Sequence, residues 1–185
     1  MLSKPCAPCN MRCCTHFNVP VTVFDIGRVC EKLKCNLSGF CSLVPADRVE
    51  QAPHANVFLF DEKGGMREMA LVLRKKEDGS CIFFGRVRGC GIHGFHPLAC
   101  RAYPFVFDWK GKLKYNRHFI CPRKWKEGEY DEDEMKEALD GMEKEISSHD
   151  RIIRKWNAKK AKEKKGKTAE KEFFRFLQSE IKAAL

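Results

Sequence analysis

Apolar residues toward the C-terminal end recur at steps of three and four: Phe173, Phe174, Leu177, Ile181 and Leu185. That period places them on one face of an amphipathic helix. Ahead of them, from Asp131 to Gly166, runs a polar stretch without proline. It opens acidic and closes basic, the order that a helix dipole favours, and predicts a long helix broken at Gly166. Earlier, Thr22-Val23-Phe24-Asp25 has the form of a capping box with Asp in place of Glu, and predicts a helix to about Leu33. Two other segments read as strands. NVFLFDEKGGMREMALVLRK predicts a pair around Gly64-Gly65, and AYPFVFDWKGKLKYNRHFICP a second pair turning at Lys110-Gly111-Lys112. Short strands with tight turns beside separate helices predict an α+β fold with antiparallel pairing.

Composition divides this pattern in two. All 11 cysteines and all 8 prolines lie before residue 127. We therefore expect a small cysteine-rich domain over residues 1–126 and a basic helical extension over 127–185 that packs on it. The amphipathic stripe at 173–185 has a place to go in that arrangement; a homodimer contact is the other option, so monomer and homodimer both stay open. The net charge of +10 is concentrated rather than general, because residues 151–167 hold nine Lys/Arg and one Glu. Such a run is a solvated helix face or a site of weak contact with polyanions. No run approaches the roughly 18 apolar residues of a membrane span, and the first residues lack the apolar stretch of a signal peptide. No membrane association and a cytoplasmic location are expected.

The chemistry lies in the thiols. CAPCNMRCC places Cys6, Cys9, Cys13 and Cys14 within nine residues. A C-x2-C turn sets two sulfurs about a metal's width apart, as in zinc knuckles and iron–sulfur corners. Cys13 and Cys14 are neighbours, and neighbouring side chains diverge, so one is expected to serve this site and the other a second one. Cys81, Cys90 and Cys100 follow in CIFFGRVRGCGIHGFHPLAC, and Cys121 closes the last predicted hairpin. Eight thiols in two groups of four suffice for two four-sulfur sites or for one cluster with further redox thiols. A reducing compartment and an odd cysteine count fit a disulfide framework poorly. Cys30, Cys35 and Cys41 lack a second knuckle; Cys30 falls on the predicted helix and reads as a small core residue.

The histidines nearest the thiols are His16, His93 and His96, with the last two between Cys90 and Cys100. A loop histidine beside thiols more often hydrogen-bonds a thiolate than binds the metal, and His93 and His96 are read that way. His54, His118 and His149 carry no signal. GCGIHG (89–94) matches GxGxxG, but Pro97 interrupts the helix that a dinucleotide site needs and no βαβ pattern surrounds it. No nucleophile–base arrangement, P-loop or HExxH is present.

With these residues set out, the sequence resembles the YkgJ-type cysteine-cluster family, described as zinc- or iron-chelating proteins. That family shows CxxC…CC, an acidic residue at the start of the next helix, a C…C-x-I-Y-x-x-R-P-x-x-C-R-x-Y/F-P block and a later cysteine. The pattern falls on Cys6, Cys9, Cys13, Cys14, Asp25, Cys81, Cys90, Pro97, Cys100, Arg101, Tyr103, Pro104 and Cys121. His93 stands where the family has Tyr, and His96 where it has Arg. HDRIIRKWN is similar to the helical tail of archaeal-type members. The resemblance implies a metal site at the eight cysteines with Asp25, His93, His96 and Arg101 around it. It fits an iron–sulfur cluster, 4Fe-4S among the options, with a redox or electron-transfer role; a zinc-binding module with structural four-cysteine sites is the alternative. A longer relative, flagellin lysine methylase, is similar in cysteine pattern and uses S-adenosylmethionine, which makes a protein-modifying, lysine methylase-like enzyme a second alternative. Whether the chain is an enzyme stays open at this point.

Overall fold

A computed structural model describes residues 12–49, 54–85, 89–115, 120–121, 125–126, 128–163 and 170–184. The fold is α+β. A single helical turn, α1 (Arg12–His16), leads into α2 (Val23–Leu33). The capping box forms: Thr22 Oγ accepts the Asp25 N–H at 3.0 Å, and Asp25 Oδ2 accepts the Thr22 N–H at 2.9 Å. The helix ends at Lys34, which takes the left-handed conformation with φ 50°. Strand β1 (Cys41–Pro45) follows a short 3-10 turn, then come β2 (Val57–Phe60) and β3 (Met66–Leu73).

These three strands form an antiparallel sheet in the order β1-β3-β2. The β2–β3 turn lies where predicted, with Gly64 at φ 82° and the Asp61 carboxylate accepting the N–H groups of Lys63 and Gly65. Central strand β3 sends alternate side chains to opposite faces, as the pleat requires. Leu71 and Leu73 enter the main core, while Ala70 and Val72 join Val49 in a small second cluster. Beyond the end of β2, the chain at Val19–Val21 takes over pairing: the Val21 N–H donates to Leu71 C=O and the Leu73 N–H to Val19 C=O. The segment just after α1 is thereby fastened to the sheet.

Two smaller pairs follow. β4 (Phe84–Gly85) and β5 (Gly89–Cys90) form a short ladder. After the one-turn helix α3 (Leu98–Ala102), β6 (Phe105–Phe107) and β7 (Leu113–Tyr115) form the second predicted hairpin. Its turn is held by Asp108, whose Oδ1 accepts the N–H groups of Lys110 and Lys112, with Gly111 at φ 72°.

The long helix α4 (Glu132–Glu163) opens with Glu132, Asp133 and Glu134, and the Asp131 carboxylate accepts the Glu134 N–H at 2.9 Å. Helix α5 (Glu170–Ala184) buries Phe173, Phe174, Leu177 and Ile181, the predicted stripe. The expected break at Gly166 and the last stripe position, Leu185, lie outside the described residues. The main core joins Val21, Ile26 and Val29 to Leu71 and Leu73 of the sheet and to Ile153, Trp156, Phe173 and Leu177 of the two long helices. A second cluster packs Phe105 and Leu113 of the hairpin against Met135, Ala138 and Leu139 of α4. Among the described residues, no helix is long and apolar enough to cross a membrane.

Candidate metal centre

Helix α1 carries Cys13 and Cys14. The chain at Cys81 is drawn against it, because the Cys81 N–H donates to the Cys14 C=O at 2.7 Å. Cys90 sits on β5 and Cys100 on α3. The thiols of Cys13, Cys14, Cys81, Cys90 and Cys100 lie close enough to shift one another's ionisation. Residues 13–14 and residues 81–100, far apart in sequence, have thus been folded into one group. Cys121 adjoins it through Tyr103, whose hydroxyl accepts the Cys121 N–H at 3.0 Å and feels the charge of both Cys121 and Cys13. Of the eight predicted ligands, Cys6 and Cys9 lie outside the described residues.

The expected divergence of Cys13 and Cys14 is not what the structure shows. Their thiols interact with each other through a side-chain hydrogen bond, and both lie within electrostatic reach of Cys81 and Cys100. The hydrogen bond lowers the Cys13 thiol to about 7, against an ordinary value of 9.0. The same bond, with burial and the nearby Cys13 charge, pushes Cys14 strongly upward. Burial likewise raises Cys81 and Cys90, and raises Cys100 well above the usual thiol range. Cys100 keeps part of its residue surface in solvent although its thiol is enclosed. A set of buried thiols in which each charge opposes the next cannot ionise together in the absence of a compensating cation. A metal ion reverses that order, since coordination deprotonates thiols outright. The donor set therefore fits a metal centre.

Asp25 lies behind the thiols rather than among them. It is 3% exposed. Its Oδ1 accepts the Leu98 N–H at 3.0 Å, two residues before Cys100, and its Oδ2 accepts both the N–H and the hydroxyl of Thr22. Arg28 pairs with it. Helix α3 has no side-chain cap of its own, since Pro97 precedes it, so Asp25 supplies that cap from a distant segment. His93 and His96 stack on each other with ring centroids 5.0 Å apart. His96 is held down to about 4 by burial, then by His93 and Arg101. Its Nδ1 and the Nε of Arg101 are buried with no hydrogen-bond partner among the described residues. Two orphaned polar atoms on the segment carrying Cys100 are a further sign that this region holds a group besides protein.

Cys30, Cys35 and Cys41 form a separate neighbourhood at the far end of α2, each within electrostatic reach of the other two. Burial pushes Cys30 up to about 11 and Cys41 well above the thiol range. Sequence spacing had no means of finding a third group, His54, His149 and Asp150. Their ligand atoms lie within 4.8 Å of one another, the one such trio among the described residues. Two of the three already carry structural bonds. His149 Nδ1 accepts the Val23 N–H at 3.2 Å and caps α2, while Asp150 Oδ1 accepts the Ala55 N–H at 2.7 Å. The Val23 bond leaves the proton of the neutral His149 ring on Nε2, where a metal would have to bind.

Comparison with known proteins agrees with the thiol geometry. No curated protein and no solved structure matches the chain. The model of the CxxCxxCC family, described as "Putative zinc- or iron-chelating domain", matches residues 5–122, more than half of the chain. That span contains every thiol gathered at α1, Cys81, β5, α3 and Cys121. The protein belongs to the CxxCxxCC family.

Proposed function

We propose that this protein holds an iron–sulfur cluster within the constellation of Cys13, Cys14, Cys81, Cys90, Cys100 and Cys121 together with Cys6 and Cys9, four thiolates to a cluster, and serves electron transfer. The observation that carries this reading is the spacing of the enclosed thiols. A tetrahedral zinc with bonds of about 2.3 Å needs sulfurs about 3.8 Å apart. Among the described residues, no three thiols have their sulfurs mutually within 4.8 Å, although five of them interact electrostatically. Thiolates that bond to different iron atoms are set farther apart, and that matches a gathered but open group.

The chain's own contribution is enclosure and charge. Burial of Cys81 and Cys100 keeps water from the sulfurs. Lys75 and Lys76 place positive charge beside Cys81. Arg101 brings a buried Nε–H without a protein acceptor to the residue next to Cys100. When bound, the cluster supplies one-electron chemistry, and N–H groups aimed at its sulfurs would set its potential.

The test is anaerobic purification, with iron, zinc and acid-labile sulfide measured per chain, followed by visible absorption and electron paramagnetic resonance after dithionite. A brown protein with matching iron and sulfide is expected, and Cys13→Ser should lower both while Cys30→Ser leaves them intact. A colourless protein with stoichiometric zinc and no sulfide would overturn the cluster in favour of a structural zinc module.

A further inference from the structure

The matched family region ends at residue 122, yet the most deeply placed polar network of the site is completed by a helix that begins at Glu132. One face of α4 reaches back into the cysteine domain along much of its length. Its Glu145 meets Thr22 and Arg28, His149 accepts from Val23, and Asp150 accepts from Ala55. Farther along, the Trp156 indole N–H donates to the Phe58 C=O, and Asn157 bonds both Phe58 and Asn56. Closer to the site, α4 also touches α3: a Cβ added at Gly141 would come within 3.3 Å of Leu98 Cδ1.

Glu145 differs from the rest because its bonds lead to a thiol. Its Oε2 lies 2.9 Å from the Thr22 hydroxyl, whose one proton it shares with Asp25 Oδ2, and accepts one Arg28 nitrogen at 3.1 Å, while its Oε1 pairs with the other guanidinium nitrogen. The Arg28 fork is therefore fixed between two carboxylates, Glu145 and Asp25. Asp25 in turn caps α3 at Leu98, on the helix that carries Cys100. Only the side of Arg28 that faces solvent is free to move, since its side chain is 32% exposed against 4% for Asp25.

We propose that Glu145 is a positioning residue for the metal centre, acting through Arg28 and Asp25 to hold α3 and its Cys100 sulfur in place. This rests on the thiol group being a metal site, but not on which metal it holds. A carboxylate fixes an Arg fork by two directed bonds, which a water molecule meeting the same guanidinium does not reproduce. Loss of Glu145 frees Arg28 to swing outward, leaves Asp25 with one fewer constraint, and loosens the cap of a helix only one turn long.

The experiment uses the full chain as purified, with its own metal. Metal release into excess EDTA is followed anaerobically for wild type, Glu145→Ala, Glu145→Gln and the control Glu132→Ala. Glu132 lies on the same helix and, among the described residues, pairs only with exposed Lys136. Supporting groups around metal ligands typically change metal affinity by 10- to 100-fold, so release from Glu145→Ala should be about tenfold faster, the low end for a group acting through two others. Glu145→Gln should recover most of the difference. Its oxygen can face Arg28 and its amide N–H can face the Thr22 hydroxyl, which already donates to Asp25. Visible absorption of the bound centre should shift in Glu145→Ala and not in Glu132→Ala. Wild-type release from Glu145→Ala, or equal acceleration in Glu132→Ala, overturns the proposal. If Glu145→Ala fails to fold, Arg28→Lys takes its place, since it keeps the charge and loses the two-nitrogen fork between Glu145 and Asp25; release at the wild-type rate from that variant would overturn the proposal in the same way. Stoichiometric zinc instead of a cluster defeats the electron-transfer reading alone, because zinc release tests Glu145 equally well. A wild-type protein with no metal defeats both.

Discussion

Acid should weaken this fold through His149, and the size of the effect follows from where the ring sits. The residue is 1% exposed, and its Nδ1 accepts the Val23 N–H at the start of α2. Burial, then the neighbouring His54 ring, holds its pKa down to about 3, against 6.5 for an ordinary histidine. Because the folded value is the lower one, the unfolded chain takes up the proton first. The stability contributed by the neutral ring is complete above pH 6.5 and is lost as the pH falls toward 3. At pH 5 the unfolded ring is protonated about thirty to one while the folded ring is still neutral. That removes about 2 kcal/mol relative to pH 7.5, and the full loss near pH 3 is about 5 kcal/mol. His54, also lowered by burial, acts in the same direction. The assay is urea unfolding of wild type and His149→Asn at pH 7.5 and pH 5. Asn offers an oxygen near the position of Nδ1, so it keeps an acceptor for Val23, and it cannot take a proton. Thiols and carboxylates titrate alike in both proteins, so the difference between the two pH responses isolates this ring. Wild type should lose about 2 kcal/mol more than the variant. Parallel pH responses would refute the reasoning, since the ring would then be hydrated or protonated in the folded protein.

Asp25→Ala removes the acceptor for the Leu98 and Thr22 N–H groups and the partner of Arg28. It should cost about 3 kcal/mol in urea unfolding, and a loss below about 1 kcal/mol would show that the network is slack. Cys41→Ala should leave metal content per chain unchanged, because Cys41 is 0% exposed within the main core and belongs to the neighbourhood of Cys30 and Cys35. Metal lost from that variant would enlarge the ligand set. Trp156→Leu should lower thermal stability by about 3 kcal/mol, since it vacates fully buried volume and strips the Phe58 C=O of its donor. A change under about 1 kcal/mol would mean that α5 repacks over the gap.

The elements legible in the sequence are those whose cause is local. Thr22 and Asp25 are three residues apart and bond each other, so their box announces α2 by itself. Phe173, Phe174, Leu177 and Ile181 are bound to one face by helical period alone. Strand β1 is different, because CSLVP ends in proline and shows little alternation; it is a strand through its register with β3, from Cys41 opposite Leu73 to Pro45 opposite Met69. Cys13 and Cys14 show the same limit within the site. Adjacency in sequence argues for divergence, but the bond from Cys81 to the Cys14 carbonyl joins α1 to a segment 67 residues away, which no local pattern records. The cysteine spacing pointed to Cys81, Cys90 and Cys100, and the fold brings them to Cys13 and Cys14. Glu145 carries no motif. Its part depends on Arg28, 117 residues away, and no local pattern records that pairing.

The core described above, against which Cys14 and Cys90 also pack, is completed by Ile153, Trp156, Phe173, Leu177 and Ile181. During synthesis from the N-terminal side, every thiol emerges well before those residues do. Sulfurs and apolar surface then wait together, open to oxidants and to stray metals, until α4 and α5 arrive. Metal delivery during that interval would meet thiols already made but not yet enclosed, and the last helices would act as the seal. The order of residues along the chain thereby sets the sulfurs ahead of the helices that close the core.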